Sequence, residues 1–342
     1  MRAIINTNES LEEILSRPDD GLVEYFRELS GDIVILGVGG KMGPTLARMA
    51  VRATQESATR RRVIGVSTFS QPGLRDALHA ADVETHQADL LNADAVSLLP
   101  EAENVIYMVG RKFGSTGAEW NTWATNVLAA GRVGEHYAGS RIVAFSSGNV
   151  YPFVSVESGG VTEATQPNPV GEYAMSCLGR ERMFDYVGNE KGARVVHYRL
   201  NYAVELRYGI IVDVATRILN GEPVDLTTGY VNVIWQRYAN SVALRCLQLA
   251  ATPPAILNVT GSETISIRDM ASRLGEYLDR PVTFSGTESE TALLSNASRC
   301  HELFGSPDVD LDTLIQWVAE WLKRGGSTLG KPTHYETRDG KF

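Results

Sequence analysis

Three glycines, Gly37, Gly40 and Gly43, stand three apart within DIVILGVGGKMGPTLARMA, residues 32–50. Ile33 to Gly37 read as a short buried strand, and Leu46, Met49 and Ala50 fall at helical spacing. The glycines therefore sit in the turn between strand and helix. Such a turn brings the backbone close to a pyrophosphate and packs the helix tightly on the strand. The unpaired amides at the helix start, around Lys41 and Met42, lie at the positive end of the macrodipole and can hold phosphate. Two hydroxyls, Ser146 and Ser147, end a later strand in SSGNVY. Tyr173 follows 26 residues beyond Ser147, near the start of a helix announced by Gln166-Pro-Asn-Pro.

The elements that position these groups alternate. RVIGV at 62–66 reads as a strand and VETHQADL at 83–90 ends another; NVIYMVG at 104–110, RIVAFSS at 141–147 and ARVVHYRL at 193–200 follow. Helices are expected from Asn121 to Tyr137 and from Glu172 to Val187. This alternation implies right-handed crossovers and a parallel sheet covered on both faces, with any ligand at the carboxyl ends of the strands. That edge holds Gly37–Gly43, Ser67–Ser70, Asp89–Leu90, Met108–Phe113 (Met108, Val109 and Gly110 first), Ser146–Tyr151 and Leu200–Ala203. Before the first strand, Ser10 is expected to cap LEEIL with Glu13, and Pro18 to open GLVEYFREL. Beyond a helix at Ile210–Leu219, VNVI, a helix around Asn240–Ala250 and AILNVTG read as further elements of the sheet domain. SIRDMASRLGEYL and LDTLIQWVAEWL belong to a small helical lobe. The spacing of Leu311, Leu314, Trp317, Val318 and Trp321 marks core. The expected division is a helical extension over 1–30, a dinucleotide-binding domain over 31–200 plus 231–260, a substrate lobe over 201–230 plus 261–324, and a tail over 325–342. The tail, with His334, Tyr335 and Phe342, is either disordered or packed on a neighbour.

Composition bounds the chemistry. The chain has 342 residues, 43% hydrophobic and 21% charged, with a formal net charge of -9. That balance argues against nucleic acid or an anionic membrane as partner, and no run approaches a spanning helix. The start is too polar for a secretory signal. Cys177, Cys246 and Cys300 are odd in number and far apart, so no disulfide framework is expected and a reduced, cytoplasmic setting is. The histidines lack ligand spacing, so no catalytic metal is expected.

Taken together, GVGGKMG, ADLLNADAVSLL, SSGNVYP, the PNPVGEY helix start, RLNYAV, NGEPVDLTTG and LNVTGSETISIRDMASRL resemble the extended short-chain dehydrogenase/reductases, the NAD-dependent epimerase/dehydratase family. The resemblance runs from about Gly31 to Leu322. It implies a Rossmann doubly wound parallel sheet with a smaller, mainly helical carboxyl-terminal substrate lobe, a bound NAD or NADP, and a homodimer formed through helices like Asn121–Tyr137 and Tyr173–Tyr186. It also implies that Tyr173 exchanges the proton of a substrate hydroxyl while Ser147 bonds the same oxygen, the carbon exchanging hydride with the nicotinamide. Asp89 and Leu90 then border the adenine. Asn149 and Asn201 become substrate-facing candidates.

The chain departs from the family at one place: Tyr173 is followed by Ala, Met, Ser and Cys177, so the lysine of Y-x-x-x-K is a cysteine. Forming phenolate from a free tyrosine at pH 7 costs roughly 4 kcal/mol. An ammonium about 6 Å away, at an effective dielectric near 20, returns on the order of 2–3 kcal/mol. Cys177 is read as core packing in preference to a nucleophile. Two other cations are candidates to stand in: Arg180, seven residues beyond Tyr173 on nearly the same face, and Lys112, in the loop RKFGSTG after NVIYMVG. Lys112 is also a substrate-binding candidate. Cofactor choice stays open, because Ser67 or Thr68 stands where a carboxylate would select NAD, while Lys41 and Arg75 can tolerate a 2′-phosphate. Family members on nucleotide sugars commonly carry an Arg where this chain has Tyr230, Val231 and Asn232. The expected substrate is therefore a free sugar, sugar acid or small polyol, handled through a keto intermediate. The alternative is a dinucleotide-binding sensor or scaffold with impaired catalysis.

Overall fold

The computed structural model describes residues 5–112 and 114–341; Phe113 and Phe342, named above, lie outside them. Seven strands form one parallel sheet: β1 (Ile33–Leu36), β2 (Val63–Ser67), β3 (Glu84–Gln87), β4 (Asn104–Tyr107), β5 (Arg141–Ser147), β6 (Arg194–Leu200) and β7 (Ala255–Val259). Their order is β7-β6-β5-β4-β1-β2-β3. All four residues of β1 and of β4 are buried, as continuous apolar runs in a sheet covered on both faces should be. The order reverses between β1 and β4, and that switch point opens the crevice in which a ligand can lie.

Helices Gly43–Glu56 and Gln236–Arg245 pack with Asp20–Glu28 on one face of the sheet, and Ala129–His136 and Gly171–Lys191 on the other. A second core joins Ile210–Asn220, Ile267–Leu278 and Leu311–Lys323 into the helical lobe, with Leu314, Val318 and Trp321 inside it. Short strand pairs stitch lobe to sheet domain, among them Thr291–Ala292 on Val154–Ser155.

Several expectations are corrected. Helix Asn8–Leu15 is capped by Thr7, with Ser10 completing the capping box in place of a Ser10–Glu13 pair. The next helix is opened by the Asp19 carboxylate, which accepts from the Leu22 amide, and not by Pro18; both hydroxyl and carboxylate win because they satisfy an orphan amide that proline cannot. VNVI does not join the large sheet. Tyr230–Val231 pairs with Ile265–Ser266, and Ile234–Trp235 with Ala203–Val204. Over its described residues the tail packs on this chain's own lobe. Thr333 and Tyr335 are each only 2% exposed, and the Tyr335 ring belongs to the core of the lobe. Among the described residues, no helix is long and apolar enough to cross a membrane.

Candidate active site

The glycine turn is built for close approach. Gly37 has φ +86°, and a Cβ there would lie 3.0 Å from the Val109 nitrogen and 3.1 Å from the Met108 carbonyl carbon. The turn after β1 and the loop after β4 thus meet at the switch point. A Cβ on Gly43 would lie 2.3 Å from the Val38 oxygen, so only glycine lets helix Gly43–Glu56 start there. Met42 precedes that helix without any side-chain cap, which leaves first-turn amides to an external acceptor. A dinucleotide diphosphate fits this cradle. The Lys41 ammonium lies 3.3 Å from the centre of the Tyr208 ring. Burial, reinforced by repulsion from Lys112 and Lys331, pushes it down to about 7.

The groups expected at an adenosine are spent locally. Ser67 accepts from the Phe69 amide at 3.4 Å, and Asp89 from the Leu91 amide at 2.9 Å. Leu90 is buried beneath them. Arg75 bonds Thr85.

Ser147 and Tyr173 come together. Ser147 ends β5, accepts from the Asn149 amide at 3.1 Å and donates to the Asn149 Oδ1 at 3.0 Å. The Tyr173 hydroxyl meets the Ser147 hydroxyl and the Cys177 thiol, and burial holds the phenol well above its ordinary value despite attraction from Arg180. Burial likewise pushes the Cys177 thiol up. Cys177 packs with Val150, Tyr151 and Val161. Both groups therefore carry their protons at neutral pH.

Each of the two substitute cations has a defined place. Arg180 is buried behind the sheet edge. It donates to the Phe145 carbonyl at 2.7 Å and the Asn126 carbonyl at 3.4 Å, with its guanidinium against Gly110. Lys112 lies nearby, its Nζ 5.9 Å from the centre of the Tyr173 ring and 2.8 Å from the Thr333 carbonyl. Burial pushes its ammonium down to about 8, against the attraction of Asp213 and Glu336. Asn201 is 2% exposed; its amide donates to the Leu293 carbonyl and ties sheet to lobe beside Gly148. Asn149 lines a small cavity with Tyr151, Phe153, Leu293 and Arg338. Arg237 is paired with Asp308, away from this site.

Sequence reasoning missed three participants. Asn126 sits in a π-helical turn, Ala124–Leu128, a feature frequent at functional sites. Its side chain accepts from the Arg111 amide at 2.7 Å and donates to the Arg111 carbonyl at 3.1 Å, pinning the loop that carries Lys112. The signal was available, because Asn126 shares a core-facing stripe with Thr122, Ala130 and Val133. Asp213 and Thr333 are the others, and nothing in their spacing announces them. Among the described residues, no three His, Cys, Asp or Glu groups gather as a metal site.

The sequence matches the NAD dependent epimerase/dehydratase family over residues 33–230. No curated protein matches the chain in sequence. Among solved structures, a UDP-glucuronic acid 4-epimerase from Bacillus cereus in complex with NAD is similar with a TM-score of 0.71 and 17% identity, over 86% of this chain and 99% of that one. The Bordetella bronchiseptica enzyme WbmG in complex with NAD gives 0.70 and 18%, over 90% and 98%. A UDP-glucose 4-epimerase from Thermotoga maritima with UDP-glucose gives 0.69 and 15%, over 86% and 99%.

Proposed function

Because this chain belongs to the NAD dependent epimerase/dehydratase family, we propose that it is an NAD(P)-dependent epimerase or oxidoreductase. It acts on a hydroxyl-bearing carbon of a sugar, sugar acid or similar small polyol. The observation that carries this reading is the meeting of the Tyr173 phenol with the Ser147 hydroxyl at the carboxyl edge of the sheet, beside the uncapped start of helix Gly43–Glu56. The amides of the glycine turn and Lys41 would hold the dinucleotide diphosphate, and Met108, Val109 and Gly110 would border its nicotinamide half. When bound, the dinucleotide supplies the hydride acceptor and donor.

The residues do the proton chemistry. With its proton held by burial, Tyr173 is poised to donate to a carbonyl oxygen as the carbon below it is reduced. The phenolate left behind is attracted by Arg180 and Lys112, which together replace the absent lysine. In the reverse direction the same phenolate takes the hydroxyl proton, and Ser147 bonds the substrate oxygen throughout. Retention of both groups supports an enzyme over a scaffold, which finds no support in the family. One of the solved structures named above is a complex with UDP-glucose. The absence of an Arg at Tyr230, Val231 and Asn232 supports a smaller substrate here. We also propose a homodimer, because Trp120, Leu128, Met175 and Tyr186 are exposed on the two helices in question.

The test screens the protein with NAD and with NADP against free sugars, sugar acids and UDP sugars. Nicotinamide absorbance and loss of a deuterium label at the carbinol carbon are the readouts. Turnover that disappears in Tyr173→Phe supports the assignment. Turnover that survives it, or cofactor binding without hydride transfer on any substrate, defeats it.

A further inference from the structure

The carboxyl-terminal segment runs across the mouth of the site and contacts it from both sides. The Thr333 amide and hydroxyl both donate to one oxygen of Asp213, at 2.7 and 2.6 Å. Asp213 stands in the first turn of helix Ile210–Asn220. The Thr333 carbonyl, turned the other way, accepts from Lys112 at 2.8 Å. Farther along, Tyr335 donates to the Asp225 carbonyl at 3.0 Å, and Arg338 donates to Thr291 twice at 2.7 Å. Gly340 then packs on the start of the helix that carries Tyr173. A Cβ on Gly340 would lie 2.3 Å from the Val170 oxygen, and one on Gly171 would lie 2.5 Å from the Gly340 oxygen. Both glycines have positive φ, +73° and +84°. Backbone meets backbone there with no room for any side chain. The segment is therefore pinned at Thr333, Tyr335 and Gly340.

We infer that Thr333 and Asp213 are positioning residues of the active site: clamped on Asp213, the carboxyl-terminal segment holds the Lys112 ammonium beside the Tyr173 ring. This rests on the reading of Tyr173 and Lys112 given above. The geometry explains how a loop lysine serves where a helix lysine is absent. A side chain with four rotatable bonds is held in one place only if its tip is bonded, and a backbone carbonyl fixed by a half-buried carboxylate bonds it without neutralising its charge. Asn126 fixes the root of the same loop through Arg111, so both ends of the lysine are anchored. The charged and titratable groups around the ammonium are Lys41 of the glycine turn, Tyr173 and Cys177 of the long helix, Asp213 of the lobe, and Glu336 of the segment itself, with Lys331 acting on Lys41.

The test follows Lys112 directly and needs no substrate. Trace acetylation with acetic anhydride from pH 6 to 11, read by peptide mass spectrometry, gives the titration midpoint of Lys112 in each protein. In the full chain the midpoint is expected near 8. In Thr333→Pro, which keeps the full chain but removes both donors to Asp213, it is expected to rise toward the ordinary lysine range near 10.4 as water reaches the amine. Asp213→Asn keeps an oxygen for Thr333 and removes only the charge, so there the midpoint is expected to fall. The turnover that Tyr173 supports should drop at least tenfold in Thr333→Pro, with dinucleotide affinity within threefold of the parent protein. A Lys112 midpoint unmoved in both variants overturns the inference, whatever the activity does. Turnover that survives Tyr173→Phe overturns the parent reading instead, and the labelling still reports whether the segment holds Lys112.

Discussion

The Lys112 ammonium donates a 2.8 Å hydrogen bond to the Thr333 carbonyl across 221 positions of chain. The bond ties the loop after β4 to the last residues of the protein, over the ring of Tyr173. Its consequence for activity is a pH dependence. Lys112 is pushed down to about 8 by burial, so it loses its charge as pH rises through that value, and turnover falls on the alkaline side. Initial rates from pH 6 to 10 read the limb. Lys112→Met should lower the rate on the order of a hundredfold, the effect of one cation about 6 Å from the phenol at an effective dielectric near 20, and take the limb away with it.

Lys41 gives a second pH effect with its own sign. Its folded value of about 7 lies below that of an ordinary lysine. The unfolded chain therefore binds more protons between about 7 and 10.4, and the cofactor-free protein gains stability as pH rises through that window. A diphosphate beside Lys41 restores the charge, so cofactor binding should take up a proton near pH 8. Calorimetry in two buffers of different ionisation enthalpy measures the uptake, and Lys41→Met should abolish it.

Glu181 and Arg199 form a buried pair, 2.6 Å apart and each side chain 2% exposed, with the Ser146 hydroxyl bonded to the same carboxylate at 2.5 Å. Burial alone would raise the Glu181 carboxyl, yet the bonds from Arg199 and Ser146 and the nearby charges bring it below the usual range. Its stabilising contribution is present above the unfolded carboxylate value and is lost as pH falls through the folded one. Glu181→Ala leaves a buried guanidinium unpaired and should cost about 3–5 kcal/mol. Urea unfolding at pH 7 checks the size, and the gap between variant and parent should narrow at pH 3.

Cys177→Lys restores the Y-x-x-x-K pattern at a site that other cations already reach. Cys177 is fully buried, and Arg180 and Lys112 already act on it. A third cation there is desolvated and repelled, so the expected result is a lower melting temperature and no more than a threefold gain in turnover. A gain of a hundredfold would mean that neither Lys112 nor Arg180 had taken over the role.

Trp120 is 73% exposed on a helix that packs beside the one carrying Tyr173. Trp120→Glu should convert the proposed dimer to monomers at micromolar concentration, read by sedimentation velocity. A monomeric parent protein would remove the proposal.

What the residues alone determined was local. Periodicity marked the sheet strands, the glycine spacing marked the turn, and the strand-end rule brought Ser147, Tyr173 and Lys112 to one edge, because these depend on neighbours a few positions away or on the fixed handedness of a crossover. Even there, patterning misjudged VNVI, whose apolar residues satisfy two small ladders as well as they would one large one. The long helix Gly171–Lys191 concealed its buried charges, since Arg180 and Glu181 find their partners on β5, β6 and a π turn. Above all, the clamp on Lys112 was decided only in three dimensions. Asp213 and Thr333 lie 120 positions apart, and a hydrogen bond between such residues leaves no period in the sequence. It exists because Tyr335 is drawn into the lobe's core and Gly340 alone can pass the start of the Tyr173 helix, which together draw Thr333 over the site.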